Sequence, residues 1–268
     1  MSSVTLDSGL TLSYSGKGAR SSPTVVLLPG PTDSWRSYQP VLERLPHPVH
    51  TIVVSQRGHG ESDKPENGYR VEDFATDVVG LLDALAIEQA VLAGHSGSCF
   101  VARRVALDYP ERIAGLLLEA SPVTLRQDAR LVDFVESVVS NLNDPISPDF
   151  ARQFVSETSS ENVPPDLSDM LASELLKVPA RVWKQMFADL LRYEDVDQLA
   201  DIKAPTLLVW GDADQLINRE TQDRLARSIP AADLLVYPGA GHTPRWEDPV
   251  RFSRDLVTFT MRAASTPG

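Results

Sequence analysis

The sequence predicts an α/β architecture: a mostly parallel sheet of about eight strands flanked by helices, with a helical segment inserted after the sixth strand. Three observations carry this reading. Short β-branched runs bounded by Pro and Gly alternate with segments of helical period, as in a doubly wound sheet covered on both faces. The alternation stops between about residues 122 and 197, where helical periods occur without a strand. The chain has 268 residues, 42% of them hydrophobic, which suits one large core with an insertion better than two separate cores.

The elements follow in order. "VTLDSGLTLSYSG" alternates apolar and polar residues around Asp7-Ser8-Gly9 and reads as a hairpin. "TVVLL" (24–28) and "HTIVVS" (50–55) read as buried strands. In "VEDFATDVVGLLDALAI", Phe74, Val78, Leu81, Leu82 and Leu85 recur at three and four residues, the mark of an amphipathic helix. "AVLAG" (90–94) is a strand, and "SCFVARRVALDYP" (98–110) a helix stopped by Pro110. "IAGLLLEA" (113–120) and "TLLVWG" (206–211) are strands, "TQDRLARSI" (221–229) a helix, "DLLVYPG" a strand and 249–264 a closing helix.

Within 122–197 the helical periods are Leu131, Phe134, Val135, Val138; Met170, Leu171, Leu175; and Trp183, Met186, Phe187, Leu190. Loops are expected at Pro145, Pro148, Pro164 and Pro165. We therefore expect a core formed by 1–121 and 198–268 and a helical cap at 122–197. The cap segment carries 14 acids and 7 bases, more than half of the net charge of −12. Its place in the chain, between two strands, is where α/β folds set ligands beyond the carboxyl ends of the sheet.

Charge and composition exclude several classes. With 37 acids against 25 bases and no basic patch, a nucleic-acid partner is not expected. No apolar run approaches the ~20 residues that span a bilayer, and "MSSVTLDSGL" lacks a secretory signal pattern. Cys99 is the one cysteine, so an internal disulfide is excluded and a reducing compartment fits. The expectation is a soluble, cytoplasmic protein, monomer or homodimer, that acts on a small molecule without cofactor. The histidines at 47, 50, 59, 95 and 242 include no pair at helical ligand spacing, so no metal is expected.

Three residues could carry nucleophilic chemistry. "VLAGHSGSCF" sets Ser96 between a strand and a helix, with small Gly94 and Ser98 on either side. Such a turn lifts a hydroxyl clear of the sheet and aims a helix N-terminus at it. "LLVWGDADQLI" places Asp212 and Asp214 just beyond a strand, and either could be the acid. "VYPGAGHTPRWEDP" places His242 in a glycine-rich loop. Taken singly, a glycine–serine turn, an acidic loop and a surface histidine are ordinary features. Together, each projects from the same edge of a parallel sheet, as a nucleophile, base and orienting carboxylate require.

With these motifs the chain resembles the α/β-hydrolase family over nearly its whole length, in particular its serine-nucleophile, capped members with esterase and lactonase activity. The matching stretches are "LLPGPTDSW", "RGHGESDKP", "GHSGS", "GDADQLI" and "GAGHTPRWEDP". The resemblance implies a catalytic triad of Ser96, Asp214 and His242, with Asp212 the lesser candidate acid and Glu119 a third. Ser98 departs from the usual second glycine of the nucleophile turn. The resemblance also makes the loop after the third strand a donor to the oxyanion. Its three residues here are Pro29-Gly30-Pro31, and Pro31 has no N–H. Gly97 can donate, and Thr32 could replace Pro31 through its N–H or hydroxyl; the alternative is a purely structural turn.

Arg57 and His59 are expected to fix a loop by hydrogen bonds, and Cys99 to be a buried small residue. Trp183, Met186 and Phe187 are candidates for either the pocket wall or the cap core, and His95 for the pocket or for a packed or exposed side chain. The leading function is hydrolysis of a small, mainly apolar carboxylic ester or lactone through an acyl-enzyme on Ser96. The alternatives are a ligand receptor or sensor on the same fold, which the missing N–H at Pro31 supports, and hydrolysis of an activated carbon–carbon bond.

Overall fold

The computed structural model describes residues 1–46, 48–160 and 162–265. Position 47, one of the five histidines, position 161 in the expected cap and positions 266–268 of the second core segment lie outside the described residues. The strands are β1 (Ser2–Thr5), β2 (Thr11–Lys17), β3 (Thr24–Leu28), β4 (His50–Val54), β5 (Ala90–His95), β6 (Ile113–Glu119), β7 (Thr206–Gly211) and β8 (Ala232–Tyr237). They form one sheet in the order β1-β2-β4-β3-β5-β6-β7-β8. The hairpin strand β2 is antiparallel to β1 and β4, and every other pairing is parallel.

Between the strands run α1 (Gln39–Arg44), α2 (Val71–Ala84) and α3 (Ser98–Asp108). After β6 come α4 (Ala129–Ser137), α5 (Pro148–Thr158), α6 (Pro165–Leu175) and α7 (Ala180–Leu190). After β7 come α8 (Arg219–Ser228), α9 (Pro244–Glu247) and α10 (Pro249–Ala264). Successive side chains of a strand point to opposite faces, and here both faces are dry. Val26, Leu28, Leu92, Leu116, Leu118 and Leu208 pack with α2 and α3. Val25, Leu27, Val91, Ala93, Leu117 and Val209 pack with α1 and α10. That two-sided burial explains the apolar runs read in the sequence.

Several boundaries differ from the sequence reading by one or two residues, and proline explains the differences at three positions. The helix after Ser96 ends at Asp108, since Pro110 also disfavours helical geometry at the residue before it. Pro148 and Pro165 do not mark loops; each occupies the first turn of a helix, where the missing N–H costs nothing.

Both stems of the inserted helices meet at Arg103 of α3. Its side chain is wholly buried and lies 4.7 Å over the Phe100 ring. Nε and Nη2 donate to the two Asp195 oxygens at 2.9 and 2.7 Å. Nη1 donates to the Ser121 hydroxyl and the Pro122 carbonyl, and Nη2 to the Val123 carbonyl. All five guanidinium donors are used, on residues at the entry to the insertion (121–123) and near its exit (195).

Removing Arg103 should therefore be costly. Arg103→Met strands the Asp195 carboxylate without water or partner, an expected loss of about 3–5 kcal/mol in denaturant unfolding. Arg103→Met with Asp195→Leu should recover part of that loss. If the single variant unfolded at the wild-type midpoint, the pair would not be holding the stems.

Candidate active site

The turn after β5 is forced by contact. A Cβ at Gly94 would lie 2.8 Å from the Ser98 carbonyl oxygen and 3.0 Å from the Cys99 nitrogen, so only glycine lets the helix start this close to the strand. Ser96 adopts a left-handed backbone, φ 53°, a conformation that costs of order 1–3 kcal/mol outside glycine. The Ser96 N–H donates to the Glu119 carbonyl at 2.9 Å. Gly97 caps α3, and its N–H, one of the orphan donors of a helix start, has no acceptor among the described residues.

Of the three candidate acids, Asp214 is the one that meets His242. Its Oδ2 lies 2.9 Å from His242 Nδ1, and its Oδ1 accepts the Leu216 and Ile217 N–H groups at 2.8 and 3.0 Å. Asp212 turns away and accepts the Gly239 N–H at 2.6 Å. Glu119 is committed to Arg245. With Nδ1–H directed at Asp214, His242 Nε2 is left as a proton acceptor. Ser96 Oγ makes no hydrogen bond among the described residues, and Ser96 and His242 face one cavity.

That cavity encloses about 330 Å³. Pro31, Thr32, His95, Ser96, Gly97 and His242 form its floor. Phe134 of α4, Phe154 of α5, and Phe187 and Leu190 of α7 form its walls, with Leu216 and Ile217 on the side of β7. Phe187 is thus at the cavity, whereas two other candidate wall residues are not. Trp183 is fully buried behind Phe187, stacked on it at 5.4 Å and met edge-on by Phe150 and Phe154. Met186 faces a separate small crevice behind Pro31. Helical spacing groups 183, 186 and 187 on one side of α7, but only one full turn further along does that side reach open space.

His95 has a positioning contact as well as a place on the floor. Its Nε2 donates to the His242 carbonyl at 3.1 Å, and the two rings lie 5.0 Å apart. Burial, followed by Arg245 and His242, holds its pKa well below the ordinary range, so the ring is neutral. A Cβ at Gly30 would come within 2.5 Å of His95 Nδ1, which fixes glycine there. Burial pushes the Cys99 thiol up to about 12, far from a nucleophile's range.

The loop after β3 is a tight turn. Asp33 N–H donates to the Gly30 carbonyl at 3.0 Å, with Pro31 second and Thr32 third, at φ 75°. Proline second and positive φ third define a type II turn, which ordinarily takes glycine in the third place. Thr32 N–H donates to His59 Nε2 at 3.2 Å, and His59 Nδ1 in turn donates to the Arg57 carbonyl at 2.8 Å. Burial lowers the His59 pKa to about 4, consistent with a neutral ring. Ser98, the departure from glycine, has a use: its hydroxyl donates to the Pro29 carbonyl at 2.6 Å. Gln56 Nε2 reaches both Ser98 Oγ and the Pro29 carbonyl, at 2.9 and 3.1 Å.

Beneath the site lies a buried charge cluster. Arg245 donates its backbone N–H and Nη1 to Glu119, at 3.0 and 3.1 Å, and Nη2 to Asp33 at 3.1 Å. Its guanidinium stacks over Trp246 and Tyr38, at 4.3 and 5.0 Å. Arg245, Gln56, Phe134 and Phe154 were not singled out as site residues in the sequence; the i,i+4 pair Phe150 and Phe154 was the available signal for the last.

The comparisons agree with the fold. The profile described as alpha/beta hydrolase fold matches residues 23–249, and the chain belongs to the α/β-hydrolase family. It is 29% identical over 247 residues to a 2-(acetamidomethylene)succinate hydrolase of Mesorhizobium japonicum, covering 87% of this chain and 85% of that one. It matches the solved structure of Est816, described as an N-acyl homoserine lactone degrading enzyme, with TM-score 0.83 and 27% identity, over 96% of this chain and 100% of that one. A hydrolase from Pseudomonas aeruginosa matches with TM-score 0.85 and 25% identity, over 96% and 97%. Among the described residues no helix is long and apolar enough to cross a membrane.

Burial pushes the Asp33 carboxyl up from its ordinary 3.8 to about 6, against the pull of Arg245. Between those values the folded chain keeps a proton that the unfolded chain has lost, so stability falls as pH rises through the window and levels above it. Measured against Asp33→Asn, which cannot ionise, the wild type should lose stability from about pH 4 to about pH 6. A difference that does not change over that range would show that Arg245 outweighs burial.

Proposed function

We propose that this protein is a serine hydrolase of small, mainly apolar carboxylic esters, lactones included. The observation that carries the reading is the 2.9 Å contact between Asp214 and His242, on a cavity floor shared with Ser96 and the Gly97 N–H. Ser96 Oγ attacks the carbonyl carbon while His242 Nε2 takes its proton. Asp214 holds the ring in the Nδ1–H tautomer and stabilises the imidazolium. The leaving alkoxide receives that proton. Water then attacks the acyl-enzyme by the same route, with His242 again as base.

The helices α4, α5 and α7 act in this reading as a cap that selects the substrate. Their phenylalanines offer a dry wall for an acyl chain or ring, and they carry none of the reacting groups. One observation favours a second reading, a receptor with slow turnover: Pro31 has no N–H, and the Thr32 N–H is already given to His59. A p-nitrophenyl ester series run beside a panel of lactones separates the two, since fast turnover of any member removes the receptor.

Ser96→Ala should abolish turnover, with a loss on the order of 10⁶-fold if the triad acts as in other serine hydrolases. Retention of a tenth of wild-type rate would move the nucleophile elsewhere. Asp214→Asn should lower kcat far more than Asp212→Asn, and the reverse ranking would contradict the contact seen at His242.

Phe187→Ala should change the relative rates across acyl lengths, whereas Trp183→Ala, behind the wall, should act chiefly on stability. Unaltered relative rates in Phe187→Ala would remove the cap from substrate selection at that position.

A further inference from the structure

Pro31 leaves the floor of the cavity one backbone donor short, and the nearest backbone substitute is engaged. The Thr32 N–H is bound to His59 Nε2 at 3.2 Å. The ring cannot swing away easily, because its other nitrogen is held by the Arg57 carbonyl and the side chain is buried. A peptide is planar, so the Pro31 carbonyl points away from His59. What Thr32 has left is its hydroxyl. Thr32 lines the cavity beside Ser96 and Gly97, and the hydroxyl has no partner among the described residues.

The backbone makes this more than a default. Thr32 is β-branched and sits at φ 75°, in a place where a type II turn takes glycine without strain. Glycine would supply the same turn and the same N–H to His59. Only the side chain distinguishes threonine here, and it borders the cavity where a substrate carbonyl must lie to meet Ser96.

We propose that the Thr32 hydroxyl is the second oxyanion donor, paired with the Gly97 N–H, and that His59 is a positioning residue that holds the strained turn in place. This rests on Ser96 being the nucleophile. As the Ser96 Oγ–carbon bond forms, the carbonyl π electrons move onto oxygen and the serine proton passes to His242 Nε2. The Thr32 O–H and Gly97 N–H donate hydrogen bonds to that oxygen without giving up their protons. On collapse the electrons return to the carbonyl, the leaving group departs with the proton from His242, and both donors are unchanged. Neutral His59 is needed only as acceptor of the Thr32 N–H.

The test uses two readouts on the full chain. One is the rate at which a fluorophosphonate ester labels Ser96, read by mass, which needs no knowledge of the natural substrate. The other is kcat and KM for p-nitrophenyl acetate. Thr32→Val keeps shape and backbone but deletes the hydroxyl; it should lower kcat and the labelling rate roughly 10²-fold with KM little changed. Thr32→Ser restores the hydroxyl and should run at least tenfold faster than Thr32→Val. His59→Phe should lower kcat with KM held, His59→Gln should recover part of the loss through its amide oxygen, and His59→Phe should add little to Thr32→Val.

Thr32→Val within about threefold of wild type, while Ser96→Ala is dead, would overturn the proposal and leave the hydrolase reading standing. Independent, multiplying effects of the two positions would remove His59 from the arrangement. Failure of the fluorophosphonate to label wild-type Ser96 would instead sink both the proposal and the reading under it. If His59→Phe did not fold, the comparison of valine and serine at 32 decides alone.

Discussion

The side chain of Arg245 sits where the parts of the site converge. Its Nη2 holds Asp33, at the end of the turn that contains Thr32, while its Nη1 and backbone N–H hold Glu119 at the end of β6. It stands three residues after His242, in the first turn of the short helix α9. One buried guanidinium thus fixes the distance between the loop after β3, the sheet edge and the histidine loop. A single cation between two carboxylates is not a strong source of stability, because desolvation takes back much of the Coulomb gain. What it supplies is geometry: Glu119 is satisfied by Arg245, which leaves Asp214 as the carboxylate on His242. Burial raises the proton affinity of both carboxylates, and the shared Arg245 opposes it.

Strain is concentrated along the same edge. Among the described residues four non-glycine residues have positive φ, and three of them, Thr32, Ser96 and Ala120, follow β3, β5 and β6. Those strands are neighbours in the sheet. Backbone of this kind persists only where the surroundings over-determine it, and here the surroundings are identifiable. The Ser96 N–H is bound to the Glu119 carbonyl and the Ala120 N–H to the Val209 carbonyl. Thr32 is held by His59, and the turn before it by Gln56 and Ser98. The central strands pay for a row of unfavourable turns, which set side chains upright at the carboxyl edge instead of along the strand.

Most of the sheet was legible because a parallel strand covered on both faces has to be apolar at every position, and each such run was bounded by Pro or Gly. The Ser, Asp, His order was legible because chain order and strand ends do not depend on packing detail. Asp214 could not be separated from Asp212 by residue type alone. The choice is made by the turn from Gly211, which sends one carboxylate to Gly239 and the other to His242. The prolines at 148 and 165 misled because a proline that breaks a helix and one that opens it look alike without the hydrogen bonds around them. The sequence leaves Trp183 open between cap core and pocket wall for a related reason: periodicity gives the side of a helix but not the depth at which that side meets open space. The partners of the turn come from two separate segments, the loop holding Gln56 and His59 and the helix start at Ser98, and no local pattern joins them to Thr32.

The two halves of the cavity are held by different means, and this bears on how the fold can vary its substrate. The floor residues hang from strand ends and are tied by the Arg245 cluster and the His59 contact. The walls belong to α4, α5 and α7, whose stems are gathered at Arg103, on the far side of the turn that carries Ser96. No hydrogen bond of the Asp214–His242 pair involves a wall residue from those helices. Substitutions among Phe134, Phe154 and Phe187 can therefore reshape the cavity without removing a hydrogen bond from the Asp214–His242 pair. A change at Thr32, His59 or Gly30 acts on the cavity floor. In this structure Arg245 and Arg103 each sit beside the part they position, and Arg130 of α4 joins the two parts by donating to the Gln215 and Leu216 carbonyls beside Asp214.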